Sequence, residues 1–395
     1  MINFNLKTRN QLPIGLDIGN DSIKMIQLST DGDQFSVLAE AKVRIDSSVG
    51  QDTQSRREFV VSSVRKMVEG GDFHGTNVVT CLGHDSIKIT SLRLAEASES
   101  QIKEALDKEV VQRFDLDPNK DLVNYMLAGD VRQGDEIRNE LILFAADDES
   151  VREHISMLEE AQLTPVGIDA MPCALFRCFE RSLQRQEDKD RTVVIFDVGS
   201  KYTTVIFGRG PEISFIKQIA LGSQSFSKSI AAKLSISIDE ADILRGKLRM
   251  ESDSRVSSMS DDDDTDRRQG ESLDPSTRQV MVDSINSVAE DLAKEISLCF
   301  RYYTVTFRGK RVEQAVFSGG GAYENILLHV LKRQLAVDVE VAQPLKGFDM
   351  TRVDFGSGRR SSLSEWAVAV GLGLKGWKSN VGDLDVPVIS GSESG

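Results

Sequence analysis

The sequence predicts an α/β protein of two duplicated lobes, with a small α+β subdomain inserted in the first. Two observations carry this. A strand, tight turn, strand, hairpin and strand at 14–43 recur at 193–219. Each copy ends its first strand in an Asp-x-Gly triplet, Asp17-Ile-Gly19 and Asp197-Val-Gly199, 180 residues apart. That spacing suits duplicated domains better than a short-period solenoid.

The first copy opens on Ile14 to Ile18, preceded by Pro13 and closed by Gly19. Alternating apolar runs follow at Ile23 to Leu28 and Phe35 to Val43, with Asp31-Gly32 supplying the turn between them. Phe59, Val60, Val64, Met67 and Val68 recur at helical spacing over 54–69, and Gly70-Gly71 stops the helix. Asn77 to Leu82 reads as a short buried strand. A block over 85–168 has its own pattern: a helix at 98–113, strands at Leu122 to Ala128 and Glu140 to Ala146, and a helix at 151–161. Ser150 and Glu153 have capping-box spacing for that last helix. Val166 to Ile168 is a strand, and 170–186 is a helix leading to the second lobe. Leu141 to Phe144 reads equally as an interior strand or as an edge that receives a partner peptide.

The second copy places strands at Val193 to Asp197, Tyr202 to Phe207 and Ile213 to Ile219. Helices follow at 223–233 and 239–249. Residues 251–278 hold Asp261 to Asp264 and Asp266 among serines and arginines, with little apolar material to bury, and read as a disordered insert. A long helix at 280–305, a strand at Val312 to Phe317, a helix at Tyr323 to Leu335, a strand at Val337 to Val341 and a helix at Leu363 to Leu374 complete the lobe. The expected division is 12–190 for the first lobe, 191–374 for the second, and a flexible tail at 375–395.

Composition narrows the function classes. The 395 residues carry 62 acidic and 48 basic side chains, a formal charge of −14, which disfavours a broad nucleic-acid surface. Four scattered cysteines exclude a disulfide scaffold, and four dispersed histidines argue against a zinc site. Cys173 and Cys178 read as core, the histidines as structural, and Trp366 and Trp377 as packing anchors. Asp169 reads as a cap for the helix that follows it. No run approaches the ~20 apolar residues of a membrane span, and the N-terminus lacks a signal-peptide core, so the expected location is cytosolic.

Three dispersed features carry the chemistry: Asp17-Ile-Gly19-Asn20 with Lys24, Asp197-Val-Gly199-Ser200 with Thr203 and Thr204, and Ser318-Gly319-Gly320-Gly321-Ala322. Lys24 and Thr204 each lie seven positions beyond their aspartate. Glycine after a buried strand allows a tight turn whose amides point at phosphate oxygens. An aspartate there suits Mg²⁺, which takes carboxylate and water oxygens beside a polyphosphate. The glycine triplet lets backbone approach a base or sugar. Asp-x-Gly alone is often only a turn; the two turns and the glycine triplet together, on matched elements, say more. There is no P-loop, no dinucleotide fingerprint and no nucleophile elbow.

The stretches IGLDIGNDSIKMIQL (14–28), VVIFDVGSKYTTVIF (193–207), IALGSQSFSKSIA (219–231) and VFSGGGAYENILLHVL (316–331) resemble the actin-like ATPase superfamily, which includes actin, Hsp70, sugar kinases and FtsA. More closely they resemble its PilM family of type IV pilus assembly proteins. The resemblance covers about 12–374. It implies two lobes, each with a five-stranded mixed sheet, ATP with Mg²⁺ in the cleft, and a first-lobe subdomain beside which the cytoplasmic N-terminal tail of PilN, an inner-membrane protein, binds. It assigns Asp17, Gly19, Asn20 and Ser22 to the first phosphate loop, with Lys24 on the strand after it. It assigns Asp197, Gly199, Ser200, Lys201 and Thr203 to the second loop. Gly319, Gly320, Gly321 and Ala322 fall on the adenosine side. The loop at Gly222 to Phe226 and the helix with Glu240 and Lys247 reach ribose or base. Asp17 and Asp197 are the metal candidates.

The chain departs from the family pattern in its acidic insert. It shows no carboxylate or glutamine placed to activate a water, so ATP binding is expected with at most weak hydrolysis. The expectation is a cytoplasmic, ATP-binding pilus assembly protein, held at the inner membrane by a PilN-like partner. Other platform or motor proteins, and self-association, stay open as further contacts. Rivals are an FtsA-like polymerising protein, a small-molecule kinase and an adapter that has lost ATP. A type II secretion system is an alternative machine.

Overall fold

A computed structural model describes residues 10–32, 34–46, 49, 53–95, 98–133, 136–180, 191–257, 273–307, 311–355 and 363–377. Strand β1 (Asn10–Ile18) pairs antiparallel with β2 (Ser22–Asp31), which pairs with β3 (Gln34–Arg44). On its other side β1 runs parallel to β4 (Asn77–Cys81), and β4 to β8 (Thr164–Asp169), giving the order β3-β2-β1-β4-β8. The second sheet repeats this plan. Strand β11 (Glu212–Ile219) pairs with β10 (Thr203–Arg209), then come β9 (Thr192–Val198), β12 (Gln314–Ser318) and β13 (Val339–Val341). The run Val193-Val-Ile-Phe196 is wholly buried, because helices cover both faces of this sheet.

Outer helices are amphipathic. Helices α1 (Thr53–Gly70) and α3 (Asp148–Glu160) close one face of the first sheet through Val60, Val64, Met67 and Leu158. Helices α5 (Ser223–Leu234), α7 (Pro275–Thr306) and α8 (Asn325–Gln334) close the second. Asp274 caps α7, accepting from the Ser276 and Thr277 amides ahead of Pro275 in the first turn. Helix α3 is capped by Asp147, whose carboxylate takes the Ser150 amide at 2.7 Å, so the helix starts three residues earlier than Ser150 and Glu153 suggest.

Between the sheets lie α4 (Met171–Glu180) and α9 (Ala367–Gly373), buried on all sides. They cross with almost no side-chain separation. A Cβ on Gly371 would stand 1.8 Å from the Ala174 carbonyl oxygen, and one on Gly15 of β1 would stand 2.2 Å from that of Ala369. Arg177 of α4 is anchored there by Asp169 at 2.7 Å and by the Gly371 carbonyl at 3.1 Å. Asp169 is thus half of a buried ion pair while also taking the Ala170 amide. Cys173 and Cys178 are free thiols in this core.

The inserted unit is a three-stranded sheet, β5 (Lys88–Leu94), β7 (Glu136–Ala146) and β6 (Leu122–Gln133) in the order β5-β7-β6, backed by α2 (Glu99–Phe114). Leu141 to Phe144 lie on the central strand, so the edge-strand alternative is excluded there. Strand β5, absent from the sequence reading, has an apolar residue only at every second or third position.

The acidic segment is shorter than expected at both ends. Helix α7 already begins at Pro275 under the Asp274 cap. Helix α6 (Ile238–Ser257) runs on past residue 251, and 258–272 lie outside the described residues. Residues Lys375 and Trp377, expected to belong to a flexible tail, are packed against the first lobe. The Lys375 ammonium lies 3.7 Å from Asp169, and Trp377 meets the Phe35 ring edge-on at 4.6 Å. Residues 378–395 and 181–190 are outside the description, including the expected end of the 170–186 helix. No described helix is long and apolar enough to cross a membrane.

Candidate functional site

The two Asp-x-Gly turns are built alike. The Gly19 amide donates to the Ser22 carbonyl at 3.0 Å, and the Gly199 amide donates to the Tyr202 carbonyl at 3.0 Å. Seven-residue spacing then brings Asp17 opposite Lys24 in one hairpin and Asp197 opposite Thr204 in the other. The hairpins meet across the molecule, where the Ser200 hydroxyl donates to Asp21 Oδ1 at 2.7 Å. Each loop is braced from outside. Arg56 of α1 donates to the Gly19 carbonyl at 2.7 Å. The first amides of α5, Ser223 and Gln224, donate to the Gly199 and Ser200 carbonyls at 2.8 and 2.9 Å. The Thr203 hydroxyl holds the Leu221 carbonyl at 2.6 Å. Gly222 sits so close that a Cβ would lie 2.3 Å from the Ser200 carbonyl oxygen.

Charge collects between the hairpins. Lys24 is buried, with Nζ 3.1 Å from Asp17 Oδ2. Burial works to lower its pKa, but Asp17, Glu365 and Asp197 overcome this and hold it above the ordinary lysine value. The Asp197 carboxyl is pushed up to about 6, first by burial and then by the Asp17 charge, against Lys24 and the Ser318 hydroxyl. Ser318 ends β12 directly beside Asp197 in register.

The glycine triplet starts here. Gly319 has φ of +85°, and a Cβ on it would lie 2.6 Å from the Val198 carbonyl oxygen. Gly321 presses on the Val198 side chain at 2.4 Å by the same measure, whereas a Cβ on Gly320 would enter open space. Ala322 is buried behind them.

His84, in the loop after β4, completes the floor. Its ring stacks on Tyr202 at 5.0 Å and 5°, its Nε2 lies 3.1 Å from the Thr204 hydroxyl, and Tyr202 donates to Asp85 at 2.7 Å. Burial lowers the His84 pKa, so the ring is neutral near pH 7. Nothing in its sequence context marked it.

The structure therefore brings together Asp17, Gly19, Asn20, Ser22, Lys24, Asp197, Gly199, Ser200, Thr203, Gly222 and Gly319 to Ala322. Lys201 projects to solvent from the second loop. Glu240 and Lys247 are also exposed, and the Glu240 carboxylate is taken by the Ser237 amide and hydroxyl, both at 2.8 Å. On α6 Arg245 is buried, and the partly exposed Asp242 accepts from the Ser227 hydroxyl. Arg245 is buried against Ser227 at 2.7 Å and Glu324 at 3.3 Å. Sequence reasoning missed them; a buried arginine one turn after Ala241 has no signal without the helix's facing.

Among the described residues no cluster of three His, Cys, Asp or Glu side chains could hold a metal alone. Asp17 and Asp197, close enough that one charge acts on the other, are the carboxylate type a cation takes when its other ligands are water and phosphate, and the open space at Gly320 fits a ligand's close approach to backbone.

Two mixed five-stranded sheets, each opening on an Asp-x-Gly hairpin and joined by crossed helices, define the two-lobed actin-like ATPase fold. The family model described as "Type IV pilus assembly protein PilM" matches residues 15–258 and 257–377. This chain belongs to that family. A solved structure described as "PilM-PilN type IV pilus biogenesis complex" is similar over 93% of this chain and 98% of its own, with TM-score 0.71 and 19% identity. Ethanolamine utilization protein EutJ from Carboxydothermus hydrogenoformans is similar over 92% of this chain and 89% of its own, with TM-score 0.49 and 14% identity.

Proposed function

We propose that this chain binds Mg²⁺-ATP between its two hairpins and, in a nucleotide-influenced way, binds the cytoplasmic N-terminal tail of a PilN-like inner-membrane protein. It thereby serves as a cytoplasmic assembly platform for a type IV pilus. The observation that carries the nucleotide half is the pair of matched turns enclosing Asp17, Lys24 and Asp197. Family membership, and the PilM–PilN complex among similar structures, support the partner half.

In this reading Asp17 and Asp197 hold the cation through water, and Lys24 compensates phosphate charge while staying within reach of Asp17. Gly320 leaves room on the adenosine side, and Asp242 and Arg245 line the sugar end. Bound nucleotide supplies charge that draws both hairpins to one centre. The polar contacts between the lobes that a ligand can shift include Ser200 to Asp21, Tyr202 to Asp85, and Lys42 to Glu365 at 2.7 Å, while α4 and α9 form a buried apolar joint between the sheets. A ligand that prefers one lobe spacing shifts the population toward it.

Hydrolysis is slow at most. Asp169, at the end of β8, is already committed to Arg177. The neutral His84 ring is committed to Thr204.

The test is the affinity of the full chain for a PilN-like tail peptide, by calorimetry, with and without Mg²⁺-ATP. A change of threefold or more in either direction supports the switch. Tail binding unaffected by nucleotide would leave a plain scaffold.

A further inference from the structure

Helix α6 carries two arginines one turn apart, Arg245 and Arg249, with different surroundings. Arg245 is almost wholly buried and fixed. It donates to the Ser223 carbonyl at 2.9 Å and to Ser227 Oγ at 2.7 Å, reaches Glu324 at 3.3 Å, and lies over the Phe226 ring at 5.3 Å. Arg249 is half-buried and has no hydrogen bond or ion pair among the described residues. Arg44, at the end of β3 in the other sheet, reaches across to Asp242 at 3.8 Å. Three guanidiniums thus meet two carboxylates, Asp242 and Glu324, and the one left over is Arg249. Burial, and then the Arg245 charge, hold its pKa below the ordinary arginine value, Glu324 and Asp242 only partly offsetting them, with Arg44 adding a smaller push downward.

A guanidinium partly removed from water with no acceptor forfeits hydrogen bonds that an anion would restore. Its planar fork matches phosphate oxygens in pairs. The position says which phosphate. Glu324 directly follows the Gly319 to Tyr323 turn, and Ser223 opens the helix resting on the second hairpin. The 5′-phosphates belong at the hairpins, beside Asp17 and Asp197. Arg249 lies one helical turn beyond Arg245, on the side away from Ser223.

We propose that Arg249, with Arg44 from the opposite lobe, forms an anion subsite for a phosphate on the 2′- or 3′-hydroxyl of a nucleotide bound in the cleft. This rests on the nucleotide reading above and adds a ligand class to it: nucleotides phosphorylated at both ends of the sugar. Arg44 ends β3 of the first sheet and Arg249 lies on α6 of the second lobe, so such a ligand would also tie the two together.

The experiment compares AMP, adenosine 2′,5′-bisphosphate and adenosine 3′,5′-bisphosphate for binding to the full chain by calorimetry, with ATP as reference. Wild type is set beside Arg249→Ala and Arg249→Lys, each checked for an unchanged melting transition. The expected result is a bisphosphate, in one of the two isomers, bound at least tenfold more tightly than AMP. That ratio collapses toward one in Arg249→Ala, is partly kept in Arg249→Lys, and shrinks in high salt. Equal affinity for AMP and both bisphosphates, with ATP still bound, would overturn the subsite and leave the cleft reading standing. No binding of any adenine nucleotide would overturn both. A bisphosphate preference that survives Arg249→Ala would place the anion elsewhere and also overturn the proposal.

Discussion

The first and second hairpins share a turn and differ in what faces it. Gly19 and Gly199 close the same hydrogen bond at the same length, yet the residue opposite the aspartate is Lys24 in one and Thr204 in the other. Asp17 has its own buried cation at 3.1 Å, whereas Asp197 shares that cation's charge from a greater remove and is pushed up to about 6. The bracing differs too: a guanidinium from α1 holds the first loop, and the first amides of α5 hold the second. Duplication conserves backbone geometry because glycine and strand pairing dictate it. Charge is free to diverge, because it depends on one side chain seven residues on.

The sharpest way to break the comparison is to remove Lys24. Lys24→Met leaves Asp17 buried without a cation, an expected loss of about 3–5 kcal/mol in denaturant unfolding. The double variant Lys24→Met/Asp17→Asn should recover much of it, since no uncompensated charge remains. Thr204→Val, the matching change in the second hairpin, should cost only about 1–2 kcal/mol, the price of an unpaired His84 nitrogen.

The glycine triplet gives the next contrast. Gly321→Ala drives a methyl into Val198 and should lower stability by about 1–3 kcal/mol. Gly320→Ala meets nothing within 4 Å and should leave the melting temperature nearly unchanged while weakening nucleotide binding.

Acid should expose the contribution of Asp197. A carboxyl whose folded pKa is near 6, against an unfolded value of about 3.9, binds its proton more tightly when folded. Its contribution to stability is therefore fully present below about pH 4 and is lost as pH rises through 6. Asp197→Asn should remove this component, on the order of 3 kcal/mol, from the pH profile of unfolding. The smallest effect is at the meeting point of the hairpins. Ser200→Ala deletes an exposed hydrogen bond and should cost about 0.5–1 kcal/mol.

Much of this was legible in the sequence because it is local. Strand alternation, Asp-x-Gly turns and the glycine triplet depend on near neighbours, and the hairpin register follows from the turn. The boundaries of α3 and α6 were less legible. The Asp147 cap competes with Ser150 for the same helix start, and α6 continues through polar residues that composition alone assigns to an insert. Strand β5 escaped because its pairing partner, β7, lies far along the chain. On α6 the sequence reading singled out the exposed Glu240 and Lys247 and had no means to find Arg245, which the helix buries. Which face is buried depends on α5 and Glu324, distant in the chain. His84 was invisible for the same reason: its partners, Tyr202 and Thr204, lie on the other lobe.

The central claim is that two matched hairpins make one nucleotide site. Calorimetric titration of Mg²⁺-ATP into wild type, Asp17→Ala and Asp197→Ala, all confirmed folded, tests it directly. The account predicts binding near the micromolar range, about −8 kcal/mol, weakened at least tenfold by either substitution. Folded wild type that binds no Mg²⁺-ATP, or binding indifferent to both aspartates, would contradict it.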